Sequence, residues 1–366
     1  MEKELIERIG IDKSTLYGFK INYVDFDKLK SFIGVNVEFE NTGDECLYLL
    51  KDGSSFKRIR IVNDEMFDKF SVGVINRGNK FVENSFLAIS LNKDRTSNLQ
   101  NDSVAEYITR VKKVFEHLEN KYGIYANYSE VKIKDIEINA TIIIDEEFFK
   151  YGRVINLLMF NLNKRFKKTH EVKRRNSISY ESESFFSGNE SIGVKIYDKK
   201  RQLMDSENIN VSMNLMRVEF TLKNPRKVRN ALKTNCIFML DEKTVCDFFY
   251  NLFNEIFIER FYDWDENNTK KLTKLLKELR KNETKWISKF LTFCSNEENK
   301  NRVPMMLDSE KLLNIIDNLD NKGRVKRVLG FAKKQVSKHS VFNENSKQKL
   351  DEIFAKIREA YSNSLK

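Results

Sequence analysis

An α+β fold, with an antiparallel sheet backed by helices and followed by a mainly α-helical C-terminal domain, is predicted by three features of the sequence. Residues 131–144, 194–199 and 215–222 alternate apolar and polar side chains with the period of a strand. Residues 103–121 and 148–166 repeat apolar side chains at helical spacing, the first behind an N-capping signal. From Asp265 onward every periodic segment reads as helix. The division that follows is a domain over residues 1–240, whose first 80 residues are irregular and β-rich, and a helical, basic domain over 241–366.

Taken in order, residues 16–21, 57–62 and 86–91 have strand character, and Asn41-Thr42-Gly43-Asp44 and Lys51-Asp52-Gly53-Ser54 are turn signals. Ser103 and Glu106 form a capping box, and Val104, Tyr107, Val111, Val114, Phe115 and Leu118 recur behind it until Tyr122-Gly123 ends the helix. His117 on this helix reads as a surface residue rather than a ligand. In the strand after it, Asp135, Glu137 and Asn139 share a face with Val131 and Ile133. Two carboxylates and an amide on alternate positions offer oxygen ligands suited to a hard cation, Mg²⁺ or Mn²⁺. The alternative is an edge strand facing water.

The helix over 148–166 turns Val154, Leu157, Leu158 and Leu162 inward and runs into a basic cluster. Lys164, Arg165, Lys167 and Lys168 are followed by Lys173, Arg174 and Arg175, a candidate track for a phosphate backbone or simply a solvated face. In the strand that follows, Val194 and Ile196 face one way, and Lys195, Tyr197 and Lys199 the other. Cations beside a phenol favour phenolate, the nucleophilic form. In residues 215–223, Val218, Phe220 and Leu222 alternate with Arg217, Glu219 and Thr221, so a guanidinium and a carboxylate point one way. These groups suit attack on a phosphodiester. Read blandly, they are a solvated strand end and a surface ion pair.

Pro225 breaks the chain, and 241–264 reads as a long helix whose Phe248, Phe249, Phe253, Phe257 and Phe261 form a core stripe. Further helices are expected over 269–281, 309–319, 324–336 and 346–361. Arg324, Lys326 and Arg327 after Asn321-Lys322-Gly323 give one of them a basic face, compatible with a DNA-reading module or a plain basic bundle.

Charge is the informative bulk property: 65 Lys+Arg against 54 Asp+Glu give +11, and residues 265–366 carry +9 of it, from 23 Lys+Arg and 14 Asp+Glu. A polyanionic partner is favoured by counterion release, without a choice among DNA, RNA and an anionic membrane. The four cysteines, Cys46, Cys236, Cys246 and Cys294, have no metal-site spacing, and no signal peptide opens the chain, so a reduced cytoplasmic protein is expected. Apolar runs such as residues 142–144 are far too short for a bilayer. Walker A, dinucleotide and G-x-S-x-G motifs are absent, and three scattered histidines form no His-x-His strand.

The run Ser187-Gly188-Asn189-Glu190-Ser191-Ile192-Gly193-Val194-Lys195-Ile196-Tyr197-Asp198-Lys199 resembles the Gly/Ser-then-x-K/R-x-Y-x-K signature of plasmid and phage rolling-circle replication initiators of Gram-positive bacteria. Arg217-Val218-Glu219-Phe220 resembles the family's following R-x-E strand, and Lys134 to Asn139 its earlier acidic strand. The likeness spans roughly residues 80–225. It implies an HUH-like nickase core in which Tyr197 attacks a single-stranded or hairpin segment of an origin, keeps the 5′-phosphate and releases a 3′-OH primer. It implies a divalent metal, Mg²⁺ or Mn²⁺, on Glu137 first, with Asp135, Asn139 and Glu219 as further ligands. Lys199 or Lys200 would neutralise the phosphate or depress the tyrosine pKa, Arg217 would assist, and Lys195 would touch DNA. The family's frequent histidine in the metal block is missing here. A host helicase and a homodimer partner are further expectations, with no membrane. The rivals are a conjugative relaxase with the same chemistry, a non-catalytic origin-binding initiator and, more remotely, an RNA-binding protein.

Overall fold

Alternation in the acidic strand and in the Arg-x-Glu strand places both at the centre of one antiparallel sheet. The computed structural model describes residues 7–40, 47–77, 80–90, 101–162, 166, 170–175, 180–301, 305, 313–316 and 346–366. The strands are β1 (Ile9–Tyr17), β2 (Lys20–Val24), β3 (Val37–Glu40), β4 (Tyr48–Leu49), β5 (Ser55–Phe56), β6 (Arg58–Val62), β7 (Lys69–Arg77), β8 (Lys80–Ser90), β9 (Ile124–Asn127), β10 (Lys132–Ile144), β11 (His170–Arg175), β12 (Tyr180–Gly188), β13 (Ile192–Asp198) and β14 (Asn214–Leu222). The helices are α1 (Phe26–Lys30), α2 (Val104–Tyr122), α3 (Gly152–Phe160), α4 (Lys199–Glu207), α5 (Pro225–Leu232), α6 (Glu242–Phe253), α7 (Arg260–Asn282), α8 (Trp286–Asn301) and α9 (Ser346–Ser364).

Ten strands form the main sheet in the order β11-β12-β13-β14-β10-β1-β8-β7-β6-β3, and β2-β9 and β4-β5 make two small pairs. One face is apolar. Ile136, Ile138, Ala140 and Ile142 of β10, Val218 and Phe220 of β14, and Val194 and Ile196 of β13 are buried there in one cluster. Helices α2, α5, α6 and α9 cover its centre by packing on β1 and β10. The other face is polar near its middle, and α4 closes one end of it through Leu203, Val211 and Leu215.

The elements begin and end where local chemistry dictates. Ser103 caps α2 reciprocally with Glu106, its Oγ accepting from Glu106 N at 3.3 Å while Glu106 Oε2 accepts from Ser103 N at 2.8 Å. Gly123, at φ +69°, closes the helix in the left-handed conformation that a Cβ resists. A Ser103→Ala change is expected to cost about 1 kcal/mol in denaturant melts, as loss of an N-cap does. Asn224 caps α5 and Pro225 opens it, so the break foreseen at Pro225 is a helix start.

Several boundaries differ from the sequence reading. Gly18, at φ +81°, splits the expected 16–21 strand between β1 and β2. The 148–166 helix is a short 3-10 turn, Phe148–Tyr151, followed by α3, which stops at Phe160. The 241–264 helix runs from α6 through a π-turn, Asn254–Glu259, into α7. Its Phe249, Phe253, Phe257 and Phe261 are buried core, as the stripe implied. Residues from both sides of position 240 share that core, since Ile353, Phe354 and Ile357 of α9 pack within it. A second apolar cluster, with Leu272, Leu276, Phe290 and Leu291, joins α7 to α8. No helix among the described residues is long and apolar enough to cross a membrane.

Candidate active site

The register of the central strands gathers side chains that are far apart in sequence. Tyr197 stands opposite Ser184 on one side and Arg217 on the other, and Arg217 stands opposite Thr141. One row along, Lys195 lies between Phe186 and Glu219, and Glu219 faces Asn139. In the next row Glu137 lies between Thr221 and Lys13. Residues directly opposite share a face, so these rows build the polar face of the sheet.

One residue that the sequence did not single out joins them. β1 pairs Ile11 with Ile138 but Lys13 with Glu137, which leaves Asp12 as the extra residue of a β-bulge. The bulge turns its carboxylate to the polar face, where Arg217 Nη1 donates to Asp12 Oδ2 at 3.1 Å. Asp12, Glu137 and Glu219 each offer an oxygen within 4.8 Å of the others. With Tyr197, Lys195 and Lys199 they line a cavity of about 680 Å³.

Three carboxylates this close are costly when all are charged. Burial, then the neighbouring Glu219 carboxylate, pushes Glu137 up to about 7 from an ordinary 4.5. Burial likewise raises Glu219, against the pull of Lys195. Beside Glu219 in register is the fully buried Asn139, whose Oδ1 and Nδ2 have no hydrogen-bond partner among the described residues. An all-oxygen trio, two of its members with raised pKa values, and an orphaned amide next to it fit a hard divalent cation. A pH test follows from the sign of the shift. The folded state keeps the Glu137 proton that the unfolded chain gives up near 4.5, so this stabilisation is present at low pH and is lost as pH rises through about 7. The metal-free protein is expected to melt lower at pH 8 than at pH 5. A divalent cation would bind the ionised carboxylates, so added Mn²⁺ is expected to raise the melting temperature more at pH 8 than at pH 5. Glu137→Gln flattens both dependences in thermal-shift measurements.

Tyr197 is buried, at 8% exposure, with its hydroxyl 3.5 Å from Glu219 Oε2. Lys195 Nζ lies 4.7 Å from the centre of its ring, a cation–π contact. The expectation that lysines lower the phenol pKa does not hold. Burial raises it, and Arg217 only partly opposes this. The reason lies partly in where the strand ends. Asp198 caps α4, accepting from Arg201 N at 2.9 Å, so Lys199 opens a helix instead of extending the strand beside Tyr197. Lys199, 1% exposed, donates to Gln202 Oε1 at 2.6 Å and acts electrostatically on Glu219. Lys200 turns outside the cavity to Ser212 O and Asn214 Oδ1, at 3.4 and 3.3 Å.

Arg217 is equally enclosed, at 1% exposure, and its Nε donates to Thr141 Oγ1 at 2.8 Å. It anchors Asp12 and the floor of the site rather than facing a ligand. Asp135 pairs with Thr15, is hydrogen-bonded to it and does not line the cavity. Lys173, Arg174 and Arg175 are strand residues of β11, at the edge of the sheet. Lys164, Arg165, Lys167, Lys168, Arg324, Lys326 and Arg327 lie outside the described residues. His117 is not a plain surface residue: its Nε2 lies 3.1 Å from Asp64 Oδ2, which also accepts from Tyr122 at 2.7 Å and Lys121 at 3.2 Å.

No protein-family model matches the chain, and no curated protein matches it. Among solved structures, a rolling-circle replication initiator protein from Geobacillus stearothermophilus is similar at 13% identity and a TM-score of 0.37, over 68% of this chain and 85% of that one. An immunity protein of the T6SS of Pseudomonas aeruginosa is similar at 8% identity and a TM-score of 0.16, over 60% of this chain and 86% of that one. Neither TM-score is high enough to establish a shared fold.

Proposed function

We propose that the chain is a replication initiator that nicks one DNA strand through Tyr197 and holds the cut end as a phosphotyrosine. The observation that carries this reading is a tyrosine hydroxyl 3.5 Å from a carboxylate of a three-carboxylate cluster, in a cavity also lined by Lys13, Lys195 and Lys199. The ordered Tyr, Arg-x-Glu and acidic-strand blocks of the sequence support it.

Each residue then has a task. The Tyr197 oxygen forms a bond to phosphorus as the bond from phosphorus to the 3′-oxygen breaks. The phenol stays protonated near neutral pH because burial raises its pKa, so its proton leaves during attack, to the Glu219 oxygen facing it. The departing 3′-oxygen takes a proton from solvent and becomes the primer hydroxyl. Lys195 and Lys199 offset charge that builds on the phosphate, and the buried Arg217 keeps Asp12 in place. Asp12, Glu137 and Glu219 would hold Mg²⁺ or Mn²⁺, which when bound supplies Lewis-acid polarisation of the scissile phosphate. Because the phosphotyrosine conserves the ester bond, a DNA 3′-OH can later reverse the step.

The test is covalent capture. Single-stranded origin DNA incubated with the protein and Mn²⁺ gives a denaturant-resistant adduct that Tyr197→Phe lacks. A second reading, a non-catalytic origin binder, is favoured by the low exposure of the ring. Tight DNA binding with no adduct under any divalent metal would establish it.

A further inference from the structure

The cations that line the cavity are divided between its two ends. Lys195, Lys199 and Arg201 come from β13 and α4, the segment that carries Tyr197, whereas Lys13 comes from β1. Between β13 and β1 the sheet holds β14 and β10. The three carboxylates fall on this stretch, Glu219 on β14, Glu137 on β10 and Asp12 on β1. Neighbouring strands lie about 4.8 Å apart, so β1 is roughly 14 Å from β13, with the cluster between them. Register sets Lys13 on the polar face, opposite Glu137 of β10 and Ser90 of β8, one residue past the bulge at Asp12. Its side chain is half-buried and acts electrostatically on Glu137 and Asp135.

Displacement at phosphorus is in line, so the bond that breaks lies on the far side of phosphorus from the attacking oxygen. With Tyr197 attacking from the β13 end, a phosphate seated at the carboxylates releases its 3′-oxygen toward β1. Negative charge gathers on that oxygen as its bond to phosphorus breaks. The other cations are engaged elsewhere. Lys195 lies over the Tyr197 ring and Lys199 donates to Gln202 Oε1, both at the entering end. Arg217 is committed to Thr141 and Asp12 in the floor.

We propose that Lys13 is a catalytic residue for the leaving group, donating a hydrogen bond from its Nζ to the 3′-oxygen as that oxygen departs. Its task rests on the nicking reading above and supplies the half of the reaction that Tyr197 and Glu219 do not reach. The bond from the Tyr197 oxygen to phosphorus forms, and the electron pair of the broken bond passes to the 3′-oxygen. Lys13 offsets the charge there, and solvent delivers the proton. On reversal the same ammonium meets the incoming 3′-OH.

The experiment measures the rate of adduct formation by the full chain with Mn²⁺ at saturating DNA. Two single-stranded origin oligonucleotides are compared, one normal and one with sulfur in place of the scissile 3′-oxygen. A thiolate leaves with its charge far better accommodated than an alkoxide's, and sulfur is a weak hydrogen-bond acceptor. Lys13→Met is expected to slow the oxygen substrate roughly 100- to 1,000-fold, the loss seen when one donor to a developing oxyanion is removed. It leaves the sulfur substrate near the wild-type rate. Lys195→Met, at the entering end, slows both substrates by the same factor. Equal slowing of both substrates by Lys13→Met, as expected if the lysine only supports the fold or the carboxylates, overturns the assignment. A wild-type rate on both overturns it as well, and leaves the nicking reading standing because the adduct still forms. No adduct from the wild-type chain on either oligonucleotide overturns the nicking reading, and the task of Lys13 falls with it.

Discussion

Tyr197→Phe abolishes adduct formation, by about six orders of magnitude if the loss follows that of other covalent nucleophiles, and leaves the fold intact. The two halves of this expectation have separate grounds. Chemically, phenylalanine offers no oxygen to phosphorus, and among the described residues no second tyrosine lines the cavity. Structurally, the hydroxyl is hydrogen-bonded to Glu219 at 3.5 Å and to the Arg217 guanidinium, so its removal costs about 1–3 kcal/mol, which the sheet and its packing absorb. The ring keeps its packing and its contact with Lys195. The check is to pair gel detection of the adduct with a denaturant melt of the same variant. A variant that still forms the adduct ends the tyrosine mechanism, whatever its affinity for DNA. The pH profile gives a second handle. Because burial raises the phenol pKa, the rate should follow ionisation within the carboxylate cluster, where Glu137 is pushed up to about 7, and not that of a free tyrosine near 10.

Arg217→Met produces the largest loss of stability expected from one substitution at the site, about 3–5 kcal/mol, the cost of breaking a buried ion pair by removing one partner. The guanidinium is 1% exposed, and its carboxylate partner Asp12 is itself largely enclosed, at 14% side-chain exposure. Without it, Asp12, Glu137 and Glu219 remain within 4.8 Å of one another, with Asp12's buried ion-pair partner and one of the cations acting on Glu219 gone. The destabilisation should therefore shrink as pH falls and the carboxylates take up protons, and it should shrink when Mn²⁺ is added at pH 8. Urea melts at two pH values, each with and without metal, read this directly. A pH-independent loss would mean that Arg217 matters only for its packing volume.

How far the sequence exposed this site depends on which physical rule placed each residue. Tyr197, Glu219, Arg217 and Glu137 were legible because each sits in a strand whose period-two alternation fixes its face, and their strands pair in the central sheet. Asp12 was not. It lies in a strand whose pattern gave no sign of a bulge, and only pairing with β10 reveals the extra residue. Lys199 was misplaced by one residue of strand, because Asp198 as an N-cap looks the same in sequence as Asp198 inside a charged strand end. Asp135 shares Glu137's parity, yet the register that sets Lys13 opposite Glu137 sets Thr15 opposite Asp135, one row further from Asp12 and Glu219 and outside the cavity lining. The docking of α9 against the sheet was equally hidden, since an amphipathic helix advertises an apolar face but not what will cover it.

By itself, the sequence determined the kinds of group present and the face each would take within its own strand, because side-chain direction follows from local backbone period. Only the tertiary structure decided which faces meet, how deeply the tyrosine and arginine are enclosed, and that a third carboxylate completes the cluster. Those outcomes depend on register between strands hundreds of residues apart in some cases, such as β1 and β14, held in one sheet by β10 between them. Burial of that kind is a property of the assembled sheet and its covering helices, and it sets the proton affinities on which the chemistry turns.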